Sequence, residues 1–237
     1  MRVLITGGSR GIGAECVRAF AREGHTVSFI YNNSDDRAGE LSRETSAVAI
    51  KADLSELKNL EMAVKAAAIK MGGVDLLVNN AGVALIKLFS DVQDDELRKV
   101  FDVNLIAATV AAREASKYMV KEHFGRIINI GSVWGRVGAS CEVVYSASKA
   151  GLEGLTKALA KELGPSGITV NCVEPGVIDT EMNSELGKED IKALCEETPL
   201  CRIGTVADVA ETVLWLASEK AGFITGQVIG VDGGFGL

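Results

Sequence analysis

Seven short aliphatic runs, most of them separated by stretches with apolar residues at helical spacing, constrain this chain more than any other feature. The runs are residues 2–6 (RVLIT), 26–31, 47–51, 74–78 (VDLLV), 126–130 (RIINI), 168–173 and 227–231. They are nearly continuous apolar segments, the pattern of strands covered on both faces. Helical spacing marks 12–23, 55–71, 105–122, 143–163 and 206–217, and Ser34 is placed to cap a helix through about residue 42. Alternating strands and helices predict an α/β fold with one parallel, doubly wound, seven-stranded sheet and helices on both faces. No linker, repeat or low-complexity tract breaks the pattern, so a single domain over 1–237 is expected. Segment 174–205 is irregular, holds two of the three prolines and follows a strand. It reads as a lid over the site, with a plain surface excursion as the alternative.

Composition narrows the function classes. Of 237 residues, 47% are hydrophobic and 24% charged, which excludes a disordered chain, a collagen and a coiled coil. Asp and Glu outnumber Lys and Arg 32 to 25, a net charge of −7 that argues against general nucleic-acid or anionic-membrane binding. No uncharged run exceeds about eleven residues, short of the ~20 that span a bilayer, and the N-terminal residues lack a signal-peptide pattern. The five cysteines, Cys16, Cys141, Cys172, Cys195 and Cys201, are odd in number without a C-x-x-C pair, and histidines number two. Neither a disulfide framework nor a metal site is expected. The reading is a reduced, cytoplasmic protein.

Two motifs carry chemistry. Residues 6–13, TGGSRGIG, join the first strand to the first helix. Gly7 permits a tight turn, Gly11 lets the backbone approach a pyrophosphate, and Gly13 lets helix and strand pack closely. The helix start then offers free N–H groups and a favourable dipole to phosphates, as in a Rossmann-type dinucleotide site. Tyr145 and Lys149, four apart, share a helix face. A neighbouring ammonium is expected to lower the phenol from its ordinary value of about 10. A surface tyrosine stacked on a lysine stem is the plain alternative.

Further segments join these. Asn79-Asn80-Ala81-Gly82 follows the fourth strand, Ser132 ends the fifth, and Pro175-Gly176 with Thr180 follows the sixth. With the G-x-x-x-G-x-G turn and Y-x-x-x-K at 145–149, the chain resembles the short-chain dehydrogenase/reductase family over essentially its whole length. The resemblance implies that Tyr145 protonates a carbonyl oxygen while a nicotinamide delivers hydride to the carbon. It implies that Ser132 orients that oxygen, that Lys149 holds the nicotinamide ribose and tunes Tyr145, and that Asn104 anchors a water in a proton relay. Asn104 also reads as a helix cap. The implied cofactor contacts are Gly7, Ser9, Arg10, Gly11, Ile12 and Gly13 in the turn, Asn32, and Asp53 with Leu54 at the adenine. They continue with Asn80, Ala81 and Gly82, then Tyr145 and Lys149, and Pro175, Gly176, Val177 and Thr180 toward the carboxamide. Asp53 also reads as a cap for the helix beginning near Ser55. Small residues on 105–122 and 143–163 suit the helix pairing through which such proteins form homotetramers.

An NAD enzyme needs an acid at the end of the second strand to hold the ribose 2′-OH. Tyr31, Asn32 and Asn33 stand there, while Arg10, helped by Ser9 and Asn32, suits a 2′-phosphate, so NADP(H) is favoured over NAD(H). For the substrate, Gly125-Arg126-Ile127-Ile128 and Ile224-Thr225-Gly226 resemble bacterial reductases of 3-oxoacyl groups on acyl carrier protein. Lys117, Lys121 and Arg126 are the candidate bases for such an acidic carrier. The run from Trp134 to Glu142 instead resembles reductases of a 5-aminopentanone group on translation elongation factor P. Ser132, Trp134 and Glu142 are the expected substrate residues, Glu142 as partner for an ammonium. The expected substrate is a ketone, free or carrier-borne.

Overall fold

A computed structural model of the protein describes residues 1–183 and 187–237. Its strands are β1 Arg2–Thr6, β2 Thr26–Tyr31, β3 Val48–Lys51, β4 Leu76–Asn79, β5 Gly125–Ile130, β6 Ile168–Pro175 and β7 Val228–Val231. All pair in parallel, in the order β3-β2-β1-β4-β5-β6-β7. The helices are α1 Gly11–Arg22, α2 Asp35–Thr45, α3 Leu57–Met71, α4 Asp94–Phe101, α5 Ala107–Glu122, α6 Val133–Val137, α7 Val143–Leu163, α8 Lys188–Glu197 and α9 Val206–Ala217.

Alternate strand residues serve the two faces. Val3, Ile5, Val27, Phe29, Ile128 and Val173 pack under α1, α2 and α9. Leu4, Ile30, Leu77, Ile127 and Val170 pack under α3, α5 and α7. Both layers exclude water, which is why the strands read as unbroken apolar runs. The seven-stranded, doubly wound Rossmann-type sheet expected from the sequence is the fold found.

Chain order reverses at β1, which pairs with β2 on one side and β4 on the other. The loops leaving β1 and β4 diverge there to opposite faces and open a crevice at the carboxyl edge of the sheet.

Several elements depart from the expectation, among them the short helix α6 after Ser132. Helix α4 was not anticipated, because Val100 is its one buried residue. Acids at its start, Asp94, Asp95 and Glu96, favour it electrostatically, and the Glu96 carboxylate accepts the Gln93 N–H at 2.9 Å. Between α4 and α5, Asp102–Ile106 winds as a π-helical turn rather than opening the long helix. Segment 174–205 is more regular than expected: β6 runs on through Glu174 and Pro175, and α8 occupies Lys188–Glu197. Among the described residues no helix is long and apolar enough to cross a membrane.

Candidate active site

The crevice widens into a cavity of about 800 Å³, lined by residues that follow every strand from β1 to β6. That volume is within the usual range for small-molecule and cofactor sites. Side chains from β4 and β1 lock its floor. The Asn80 amide donates to the carbonyls of Thr6 (3.1 Å) and Gly7 (2.9 Å), and the Thr6 hydroxyl accepts from the Asn80 and Ala81 N–H groups. Gly7 holds a left-handed conformation (φ 66°), and a Cβ there would meet Ala81 Cα at 2.8 Å. Gly13 lies beneath, outside the cavity lining; a Cβ on it would stand 2.3 Å from the Gly7 carbonyl.

The residues fit a dinucleotide. Among the described residues no side chain caps the start of α1, so its first N–H groups face the cavity with the helix dipole behind them. Among the described residues, only Thr180 lies within 4 Å of the absent Cβ of Gly11 (φ 53°), the nearest atom at 3.7 Å. A side chain there would occupy the space a pyrophosphate needs. Ser9, Arg10, Ile12, Asn32, Asp53, Leu54, Ala81, Gly82, Pro175, Gly176 and Thr180 line the same cavity; Val177 does not. Asp53 borders the cavity and accepts from the Ser55 N–H (2.9 Å) and hydroxyl (2.7 Å), which holds its carboxyl below the usual range; the N-cap of α3 is Glu56, not Asp53.

At the inner end, Ser132 and Tyr145 line the same cavity, and Ser132 acts on the Tyr145 hydroxyl. Ser132 leaves β5 and caps α6, accepting the Trp134 N–H at 3.2 Å. Tyr145 and Lys149 lie one turn apart on α7, both buried. Lys149 Nζ donates to the Ile130 carbonyl at 2.8 Å and lies 5.7 Å from the Tyr145 ring centre. Burial pulls the Lys149 ammonium down to about 8. Burial also pushes the Tyr145 phenol up to about 12, with the Glu142 charge adding and the Ser132 contact opposing. The expected lowering of Tyr145 is therefore corrected: in this structure the loss of hydration dominates and the phenol is raised.

Asn104 is buried in the π-turn and is not a helix cap. Its Oδ1 accepts the Val83 N–H (2.8 Å), and its Nδ2 donates to the Val83 carbonyl (3.0 Å) and to Ser148 Oγ (3.0 Å). A Cβ on Gly82 would lie 3.4 Å from both Asn104 Oδ1 and Lys149 Nζ, so these groups converge. Such π-turns concentrate at functional sites. Ser148 had no sequence signal beyond its place beside Lys149.

The expected substrate residues divide. Ser132 lines the cavity, whereas Trp134 and Glu142 lie outside its lining. The Trp134 ring packs edge-on against Phe235, centres 5.4 Å apart. Glu142 is half-buried at the start of α7, and desolvation raises its carboxyl. Of the candidate carrier bases, Arg126 is buried at the start of β5, under the Phe124 ring, and Lys117 is paired with Glu114 at 2.5 Å. Arg126 stands at the amino edge of the sheet, opposite the cavity. At the outer mouth, Arg10 is 3.7 Å from Glu181, and Arg37 of α2 also pairs with Glu181. Arg37 was not singled out in the sequence, because only folding carries α2 to this rim.

A family model described as enoyl-(acyl carrier protein) reductase matches residues 7–236. The chain is 39% identical over 236 residues to the 3-oxoacyl-[acyl-carrier-protein] reductase FabG of Staphylococcus aureus (strain Mu50), covering 98% of this chain and 96% of that one. It is 37% identical to the reductase MabA of Mycobacterium bovis, covering 99% and 92%. Among solved structures, a short-chain dehydrogenase/reductase from Serratia marcescens superposes with a TM-score of 0.93 at 40% identity, covering 99% and 97%. A blue fluorescent protein from a metagenomic library, solved in complex with NADPH, superposes with a TM-score of 0.92 at 38% identity, covering 98% and 97%. With a glycine turn opening on a dinucleotide-sized cavity and a tyrosine, serine and lysine at its inner end, these likenesses place the chain in the short-chain dehydrogenase/reductase family, as an oxidoreductase that works on CH–OH or C=O groups with a nicotinamide cofactor.

Proposed function

We propose that this protein is an NADPH-dependent reductase of a ketone, with the 3-oxoacyl group of an acyl-carrier thioester as substrate. The convergence of Ser132, Tyr145, Lys149 and Asn104 at the inner end of the cavity carries the reading. The bound cofactor supplies hydride to the carbonyl carbon. Tyr145, protonated at neutral pH, gives its hydroxyl proton to the carbonyl oxygen. Ser132 donates to the same oxygen and holds it beside Tyr145. The Lys149 ammonium stabilises the phenolate left behind, and Asn104 fixes the backbone at Val83 and the hydroxyl of Ser148 around it. The uncapped start of α1 would hold the pyrophosphate, and Arg10 with Arg37 would hold a 2′-phosphate in place of Glu181. The segment after β6 acts as the lid: Thr180, Glu181 and Asn183 border the cavity, while Gly204 N–H bonds to the Val177 carbonyl (2.8 Å) to anchor its base. Four copies assemble through α5, α7 and the edge formed by α9 and β7, where Ile106, Val120, Val143, Trp215 and Phe223 are exposed.

One observation favours a second reading, a substrate bearing an amine, as in the 5-aminopentanone group. The half-buried Glu142 carboxylate has no cation partner among the described residues and acts on Tyr145 electrostatically. Oxidation of NADPH and NADH by the purified enzyme, with an acetoacetyl thioester and with an aminopentanone-modified elongation factor, tests both. The first reading expects the thioester and NADPH to be preferred. Arg10→Ala then weakens NADPH about 10- to 150-fold and leaves NADH nearly unchanged, because a contact to a charged group is lost. Equal use of the two cofactors by the wild type overturns the cofactor assignment. Glu142→Gln slowing only the amine substrate decides for the second reading.

A further inference from the structure

Strand β6 carries a charge where its neighbours are apolar. Glu174 is wholly buried, and among the described residues neither carboxylate oxygen has a hydrogen-bond donor. The groups facing it come from four elements. From α6, Arg136 Nε stands 3.7 Å from Oε2, too far to donate, and its Nη2 is committed to Asp232 at 2.6 Å. From the turn after β7, Asp232 repels it. From α7, the Glu153 carboxylate raises the Glu174 carboxyl further, and is itself paired with Lys157 at 3.2 Å. From β6 itself, Cys172 shares the strand face, with Lys149 acting on its thiol from α7. The space in front is closed: a Cβ on Gly131 would sit 3.0 Å from Glu174 Cγ and 2.8 Å from Cys172 Sγ. The Arg136 charge eases ionisation of Glu174 but does not offset its burial and the acids around it, so the site disfavours a second negative charge beside Glu153.

We propose that Glu174 is a neutral carboxylic acid that donates its proton to Glu153, and that this bond holds the carboxyl end of β6, with Pro175 and Gly176, against the helix bearing Tyr145 and Lys149. Glu153 is one turn beyond Lys149, and Pro175 and Gly176 line the cofactor cavity. The pair therefore positions one wall of the cavity relative to the catalytic helix, and its role in turnover rests on the site proposed above. Ionisation of Glu174 replaces the bond by repulsion from Glu153 and Asp232, and the wall is released. Burial pushes Glu174 from its ordinary 4.5 up to about 7. The folded protein then keeps a proton that the unfolded chain releases near 4.5. Stability falls as pH rises through that window and levels off above about 7.

Isotope-edited infrared spectra of the full-length enzyme and of Glu174→Gln, recorded from about pH 5 to about pH 9, read the proton directly. A protonated carboxyl band that bleaches near neutrality in the wild type, and is missing in Glu174→Gln, is the expected result. The glutamine keeps the volume and can still donate to Glu153. Its melting temperature should lose the wild-type decline across the window, and its cofactor KM should no longer rise with pH. In the wild type that KM rises about two- to thirtyfold over the same range, the span of couplings through neighbouring residues, while kcat changes less. Glu153→Gln, which removes the repulsion from the other side, should flatten the same profile and serves if the first variant folds poorly. Absence of the band, or a Glu174→Gln profile that follows the wild type, overturns the proposal. Tyr145→Phe separates the two readings, since it should abolish turnover and leave the carboxyl band in place.

Discussion

Burial decides the behaviour of Tyr145 and Lys149 on α7. The Tyr145 phenol is pushed up to about 12 and the Lys149 ammonium pulled down to about 8 by the same desolvation. Tyr145 is thus a proton donor at neutral pH, which is the form a ketone reductase needs. Tyr145→Phe keeps the ring in its place and removes the proton. Turnover should fall by at least about 10², since general acid help is worth 10²–10⁴. Cofactor affinity, measured by fluorescence titration, should be unchanged. Near wild-type turnover would refute the role. The pairing of Tyr145 with Lys149 was readable from their spacing. The direction of the tyrosine shift was not, because it depends on how much of α7 the rest of the fold covers.

Helix starts and tight turns set the geometry at the scale of elements. The start of α1 is held against β1 and β4 by contacts that leave no room for one more carbon at Gly13. Gly13→Ala should therefore cost about 1–3 kcal/mol, the usual cost of overpacking. It should weaken cofactor binding as well, because the helix start must move away from the Asn80 amide. Urea unfolding followed by cofactor titration checks both, and an alanine variant as stable as the wild type would show that the helix start yields freely. The glycine turn was legible because strand, turn and helix are contiguous in the chain. Helix α4, the π-turn at Asn104 and helix α8 were not. Each buries few apolar side chains or none, so periodicity carries little signal there, and packing and end charges supply what propensity lacks.

For the whole molecule, the −7 charge sits on a surface whose largest exposed apolar side chains include Phe223 and Trp215 by the β7 edge, and Ile106, Val120 and Val143 along α5 and α7. The proposed tetramer covers them. Native mass spectrometry should show four copies, and Phe223→Asp should reduce the assembly to smaller species without unfolding the protomer. A monomer at assay concentration would remove the basis for that assembly.

The sequence by itself determined the parallel sheet, its two helical layers, the dinucleotide turn and the tyrosine–lysine pair. These follow from contacts close along the chain: alternation of strand and helix, a glycine turn between neighbours, and residues one helical turn apart. Tertiary structure alone decided that Arg10 and Arg37 both meet Glu181, that Asn104 anchors Val83 and Ser148, and that Glu174 faces Glu153. Those meetings join residues at least 21 positions apart. Their chemistry is set by the water that packing excludes, and no local pattern records that.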